Sequence, residues 1–222
     1  MSIQISIPMN QSNNDMSFLK ILDSVNQYYT DKIVTYGATA RGVDWNSEES
    51  QILRFKQLLK VCNHDDNFSL IDYGCGYGAL LSFIISENYR CKYFGYDICD
   101  SMIKSAKLLY ENSRNAFFFN EKSSLQIADF SLASGVFNVK QEINVQDWEN
   151  YIFKTLKELS LLSIRGFAFN MLTQYSDFDK MRSYLYYADP CFFFDFCKKH
   201  FSKNVALLHD YDLYEFTIIV RK

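Results

Sequence analysis

The sequence predicts an α/β protein built on a doubly wound, mostly parallel sheet, with helices on both faces and a helical segment over one end. Three observations carry that prediction. From residue 68 onward short apolar runs alternate with helix-periodic stretches. A glycine loop joins the first run to its helix, and an acid ends the second run. The last two runs follow each other too closely for a crossover helix, so they must pair antiparallel.

The elements follow in order. After a polar first dozen residues, 16–33 carries Phe18, Leu19, Ile21, Leu22, Val25 and Tyr29 at helical spacing. A loop at 36–45, YGATARGVDW, holds Arg41 and Trp45 and leads to a helix with Asn46 as N-cap and Glu49 three residues later. Strands are expected at 68–73, 91–98, 116–120, 128–135, 166–172, 204–211 and 213–221. Helices are expected at 78–88, at 100–113 with Asp100 as its cap, at 148–162, and from Pro190 to Phe201. Only Asp212 separates the last two strands. No repeat or linker divides the chain, so residues 1–222 read as one domain, with 1–62 as a helical extension or lid and 66–222 as the core.

Composition narrows the function. The 222 residues are 48% apolar and 22% charged, which suits one domain with a full core and excludes disordered and disulfide-stapled classes. Lys and Arg number 23 against 26 Asp and Glu, a net charge of −3 that argues against nucleic acid as the main partner. The aromatic content of 17% implies a large core, an aromatic-lined pocket, or both. Cysteines at 62, 75, 91, 99, 191 and 197 form no C-x-x-C pair, so free thiols of a reducing cytoplasm are expected, with no metal site. The first residues lack the basic start and apolar run of a secretion signal, and no window approaches the roughly 18 apolar residues of a membrane span. His64 and His200 read as surface residues. The expectation is a cytoplasmic protein with no membrane partner; its oligomeric state is open.

The most informative stretch is Asp72-Tyr73-Gly74-Cys75-Gly76-Tyr77-Gly78, at a strand-to-helix junction. Glycines there let the backbone turn sharply and approach a ligand closely. Asp97 ends the next strand, 19 residues beyond Gly78, where a carboxylate can take two ribose hydroxyls. The spacing G-x-G-x-G departs from the G-x-G-x-x-G of pyrophosphate-binding folds. Asp72, just before the first glycine, would repel a phosphate and suits a ligand carrying an amine. S-adenosylmethionine, with an ammonium, a sulfonium and no phosphate, matches those charges.

These residues resemble motifs I and II of the class I S-adenosylmethionine-dependent methyltransferases, and the closing antiparallel hairpin is a feature of the same fold. The resemblance spans about residues 66–222 and implies a seven-stranded sheet of order 3-2-1-4-5-7-6 with strand seven reversed. The segments at 37–55, 134–138, 186–190 and 209–222 further resemble bacterial small-molecule methyltransferases. The resemblance implies that Gly74, Cys75 and Gly76 meet the methionine portion of the cofactor, with Asp72 near its ammonium and Gly78 as a further cofactor-binding residue. It implies that Asp97 holds the ribose, that Ile98 and Met102 flank the adenine, and that Ser134 lies under the amino-acid end.

The acceptor belongs at the carboxyl ends of the strands. Candidates there are 135–138, Thr173 to Tyr175, the loop bearing Tyr186, Tyr187 and Asp189, and His209 to Tyr211, with Trp45 and Arg41 arriving from the lid. His209 is the candidate general base, with Tyr211 and Tyr187 as further catalytic candidates. A structural histidine at a turn, packed aromatics at 186–187 and a helix cap at Asp189 fit those positions equally well. The reading is a methyltransferase acting on an oxygen or nitrogen of a small molecule or sugar-like metabolite. A nicotinamide-dependent oxidoreductase on the same sheet, or a non-catalytic cofactor-binding subunit, are the alternatives.

Overall fold

A computed structural model describes residues 11–63 and 67–222, with side chains described from Phe18 onward. His64 lies outside the described residues. The strands are β1 (Asn67–Tyr73), β2 (Arg90–Tyr96), β3 (Ala116–Phe119), β4 (Ala128–Ala133), β5 (Ser163–Leu172), β6 (Asn204–Leu208) and β7 (Glu215–Arg221). They form one sheet of order β3-β2-β1-β4-β5-β7-β6, in which β7 alone runs against the direction of the other six. The direction of strand winding reverses between β1 and β4, which opens a crevice at their carboxyl ends.

Side-chain alternation along the strands builds a core on each face. Ile71 and Tyr73 of β1, Phe94 and Tyr96 of β2, and Phe167 and Phe169 of β5 face α5 (Val145–Leu162) and α6 (Pro190–His200), with Trp148, Leu156 and Phe193 closing that layer. Leu70, Tyr93, Phe130, Leu132 and Ile219 face α2 (Glu48–Leu59), α3 (Ala79–Ser86) and α4 (Asp100–Leu109) through Leu58, Leu80, Ile84 and Ile103. Helix α1 (Gln11–Tyr36) lies against α4 and α5 and carries a short 3-10 segment, Ala40–Val43, toward the crevice. None of the six cysteines, all among the described residues, is joined in a disulfide. Among the described residues no helix is long and apolar enough to cross a membrane.

Local details differ from the sequence reading. Ser47, not Asn46, caps α2, its hydroxyl accepting from the Ser50 N–H at 3.2 Å. Asp100 does not cap α4 but is its first residue, bound to Lys104 one turn on at 2.6 Å. The turn into α4 is held from Asp97 instead, whose Oδ1 accepts the Cys99 N–H at 2.8 Å. The closing hairpin is present, but residues 209–214 join its strands instead of Asp212 alone. Tyr211 reads as strand because it is apolar and buried, yet it tucks beneath the sheet from a turn, its hydroxyl 2.9 Å from Thr217 Oγ1.

Candidate functional site

At the crevice the chain leaves β1 through a loop in which Gly74 and Gly76 take φ of +79° and +55°, the left-handed region that costs a side-chain-bearing residue strain. This loop, the end of β2 and the end of β4 line one cavity of about 880 Å³, its open mouth included. Asp72, Gly74, Cys75, Gly76, Asp97, Ile98, Met102 and Ser134, all expected as ligand residues, line it together. Tyr29, Val43, Trp45 and Gln51 reach it from the N-terminal helices and loop, opposite Tyr151 of α5.

Two carboxylates dominate its electrostatics. Asp72 is 2% exposed and accepts one hydrogen bond from the Tyr93 hydroxyl at 2.5 Å through Oδ2. Burial pushes its pKa up to about 7, against the pull of that hydrogen bond, and the charge of Asp97 adds to the rise. Asp97 Oδ2 accepts from the Gly76 N–H at 2.8 Å, which ties the second strand to the glycine loop. Burial raises its pKa to about 6 despite the N–H groups of Cys99 and Gly76. Each carboxylate keeps lone pairs beyond these bonds. Among the described residues that line the cavity, Asp72 and Asp97 are the only charged ones. The Ser134 hydroxyl, buried at the end of β4, has no hydrogen-bond partner. Two carboxylates without a cation, beside an unpaired hydroxyl, make a site that fits a ligand bearing positive charge and hydrogen-bonding groups.

A Mycobacterium tuberculosis protein named "Putative methyltransferase Rv1506c" is 49% identical to this chain over 164 residues, covering 74% of the chain and 99% of the relative. The chain belongs to the class I S-adenosylmethionine-dependent methyltransferases. No family model matches it. Solved methyltransferases share the fold at low identity. The Synechocystis PCC 6803 magnesium protoporphyrin IX methyltransferase, solved with bound SAH, superposes with a TM-score of 0.65 at 14% identity, covering 93% of this chain and 99% of its own. Human N-acetylserotonin methyltransferase, solved with SAM, gives a TM-score of 0.59 at 15% identity, over 96% of this chain and 72% of its own.

In this methyltransferase the remaining expected residues stand elsewhere. Gly78 does not line the cavity. It caps α3 at φ +88°, and a Cβ there would lie 2.7 Å from the Tyr110 ring, so packing behind the loop explains that glycine. His209 is exposed at the end of β6, packed on Tyr175 with ring centroids 6.0 Å apart. Strand β6 lies three places from β4, roughly 14 Å at the spacing of paired strands, beyond the roughly 3 Å reach of proton transfer. Its neighbour Asp210 is exposed too. The Tyr211 hydroxyl is spent on Thr217, and that of Tyr187 accepts the Arg182 N–H at 2.9 Å. Tyr186 is buried with its hydroxyl donated to Glu149 at 2.8 Å, Asp189 caps α6, and Arg41 is exposed beside the Tyr36 ring. Of the lid candidates only Trp45 enters the cavity.

Sequence reasoning passed over Tyr29, Gln51, Tyr93 and Tyr151. Tyr93 alone carried a usable signal: a tyrosine inside an apolar strand needs a partner for its hydroxyl, and the acid of the neighbouring strand supplies one. The others come from helices whose periodicity identifies a buried face without saying what that face covers.

Proposed function

We propose that this chain transfers the methyl group of S-adenosylmethionine to an oxygen or nitrogen of a small-molecule acceptor, by in-line displacement. The observation that carries the reading is the pair of cation-free carboxylates, Asp72 and Asp97, beside the unpaired Ser134 hydroxyl in one cavity. In this reading Asp97, anchored by Gly76, takes the ribose hydroxyls with its spare lone pairs. The oxygen of Asp72 not bound by Tyr93 receives the ammonium, and Ser134 completes the amino-acid end. Ile98 and Met102 flank the flat base, and the turn at Gly74 to Gly76 lets the backbone run along the methionine portion.

When bound, the cofactor supplies an electrophilic methyl carbon on a sulfonium. The protein's part is to hold an acceptor atom about 3 Å from that carbon in line with the breaking bond, and to keep water out. Val43 and Trp45 from the lid and Tyr29 from α1 are suited to that exclusion. In this reading positioning of the acceptor is the protein's main contribution to the rate. The enclosure of the cavity by the N-terminal helices and its lack of basic side chains favour a small acceptor without a carboxylate or phosphate.

Calorimetric titration with S-adenosylhomocysteine tests the cofactor reading: one molecule binding per chain is expected, and no heat at millimolar ligand overturns it. Incubation with methyl-labelled cofactor and separate pools of small metabolites, RNA and protein tests the acceptor class. Label is expected in the small-molecule pool; label confined to a polymer overturns it.

A further inference from the structure

A buried polar chain runs from the lid to the floor of the cavity. Arg54 of α2, 6% exposed, grips Glu215 of β7, 1% exposed, with Nε to Oε2 at 2.9 Å and Nη2 to Oε1 at 2.6 Å. Asn170 of β5, wholly buried, donates Nδ2 to Glu215 Oε2 at 2.5 Å and accepts the Gly135 N–H through Oδ1 at 2.8 Å. On the other side the Arg54 guanidinium lies 4.0 Å from the centroid of the Trp45 ring. The ring edge then meets Gly135, where a Cβ would stand 2.5 Å from Cζ2. The circuit therefore closes on itself: Trp45, Arg54, Glu215, Asn170, Gly135 and Trp45 again. Trp45 and Gly135 line the cavity, while the three polar residues between them do not.

A buried ion pair is an expensive way to stabilise a fold, because desolvation consumes most of the attraction and apolar residues of equal volume serve as well. Its advantage is orientation. A guanidinium fork on a carboxylate admits one geometry, and here the same guanidinium carries an indole on its face. We infer that Arg54, Glu215 and Asn170 are positioning residues that fix Trp45 and Gly135 as one continuous wall of the cofactor cavity. The inference rests on the cofactor reading above. It assigns to the pair a role in ligand affinity separate from its role in stability.

The experiment separates the two roles. Arg54→Met alone leaves Glu215 buried without its cation and is expected to lower both thermal stability and S-adenosylhomocysteine affinity. The double variant Arg54→Met/Glu215→Met replaces the pair by apolar side chains and is expected to regain most of the lost stability, yet to bind at least tenfold more weakly than the native protein. Recovery of native affinity in the double variant overturns the inference, since a purely structural pair would restore both. Trp45→Ala, which keeps the ion pair, is expected to lose a similar factor in affinity, with Trp45→Phe recovering most of it. Unchanged affinity in Trp45→Ala overturns the inference even if the double variant does not fold. Failure of the native protein to bind at all refutes the cofactor reading instead.

Discussion

Asp97 does two things with one carboxylate: it accepts backbone N–H groups from Gly76 and Cys99, and it turns its remaining lone pairs to the cavity. Asp97→Asn removes the charge that strengthens hydrogen bonds from a ligand's hydroxyls, about 1.5–3 kcal/mol, or about 10- to 150-fold in affinity. Calorimetry with S-adenosylhomocysteine is expected to read that loss. His209→Ala, by contrast, is expected to leave the same affinity within about twofold, since the imidazole faces solvent beside Tyr175. The two carboxyls also set a pH dependence. Asp72 titrates near 7 and Asp97 near 6, both above the ordinary 3.8, so between about pH 4 and 7 the native state holds more protons than the unfolded chain. Their contribution to stability therefore falls as pH rises through that window. An ammonium group favours the ionised carboxylates, so ligand affinity is expected to rise from pH 5 to 8, with protons released on binding. Titrations in buffers of different ionisation heat measure that release. At this scale the sequence pointed to Asp72, Gly74, Gly76 and Asp97, which the fold brings to one cavity, because close backbone approach and charge require those residue types. It misled at Gly78, whose glycine serves Tyr110, and at His209, because no spacing rule says how many strands lie between two carboxyl ends.

Among the elements, α6 shows how local chemistry sets a boundary. Pro190 opens it and Asp189 caps it, accepting from the N–H groups of Cys191 at 2.8 Å and Phe192 at 3.3 Å. Asp189→Ala is expected to cost about 0.5–2 kcal/mol and to lower the melting temperature by about 2–4 °C per kcal/mol, without changing cofactor affinity. A melting scan beside a binding titration checks both halves of that statement. Parallel pairing and hairpin polarity were legible because alternation and connection length constrain them strongly, whereas strand order came from the family resemblance. Element ends were less so. The turn at 209–214 contains Tyr211 and Leu213, and apolar residues in a turn are indistinguishable from strand until something shows what they pack under. Similarly, Asn46, Ser47 and Asp100 are all competent caps by type, and only the N–H groups actually free decide among them.

For the molecule as a whole, the pair Arg54–Glu215 joins positions 161 residues apart, stitching the N-terminal helices to the last strand. Removing one partner of such a buried pair is expected to cost about 3–5 kcal/mol, read by denaturant unfolding of Arg54→Met. The loop that carries Trp45 has a second anchor: Asp44 accepts from the Tyr28 hydroxyl at 2.6 Å and from Lys32 Nζ at 2.5 Å, both on α1. Hydrogen exchange is expected to be slowest in the central strands β4, β5 and β7, and residues 37–47 to gain protection when S-adenosylhomocysteine binds. None of these long-range ties was readable from the chain, since a buried Arg and Glu so far apart carry no periodic signal.

The protein has two tryptophans, and the fold has put them to opposite uses. Trp148 is fully enclosed, its Nε1 donating to the Phe137 carbonyl at 3.0 Å, and has no surface through which a small molecule could touch it. Trp45 forms a wall of the cavity under a guanidinium. Intrinsic fluorescence therefore carries two separable signals in one spectrum, an indole that answers only to unfolding and another that answers to occupancy, and the chain needs no attached dye to report on its own ligand.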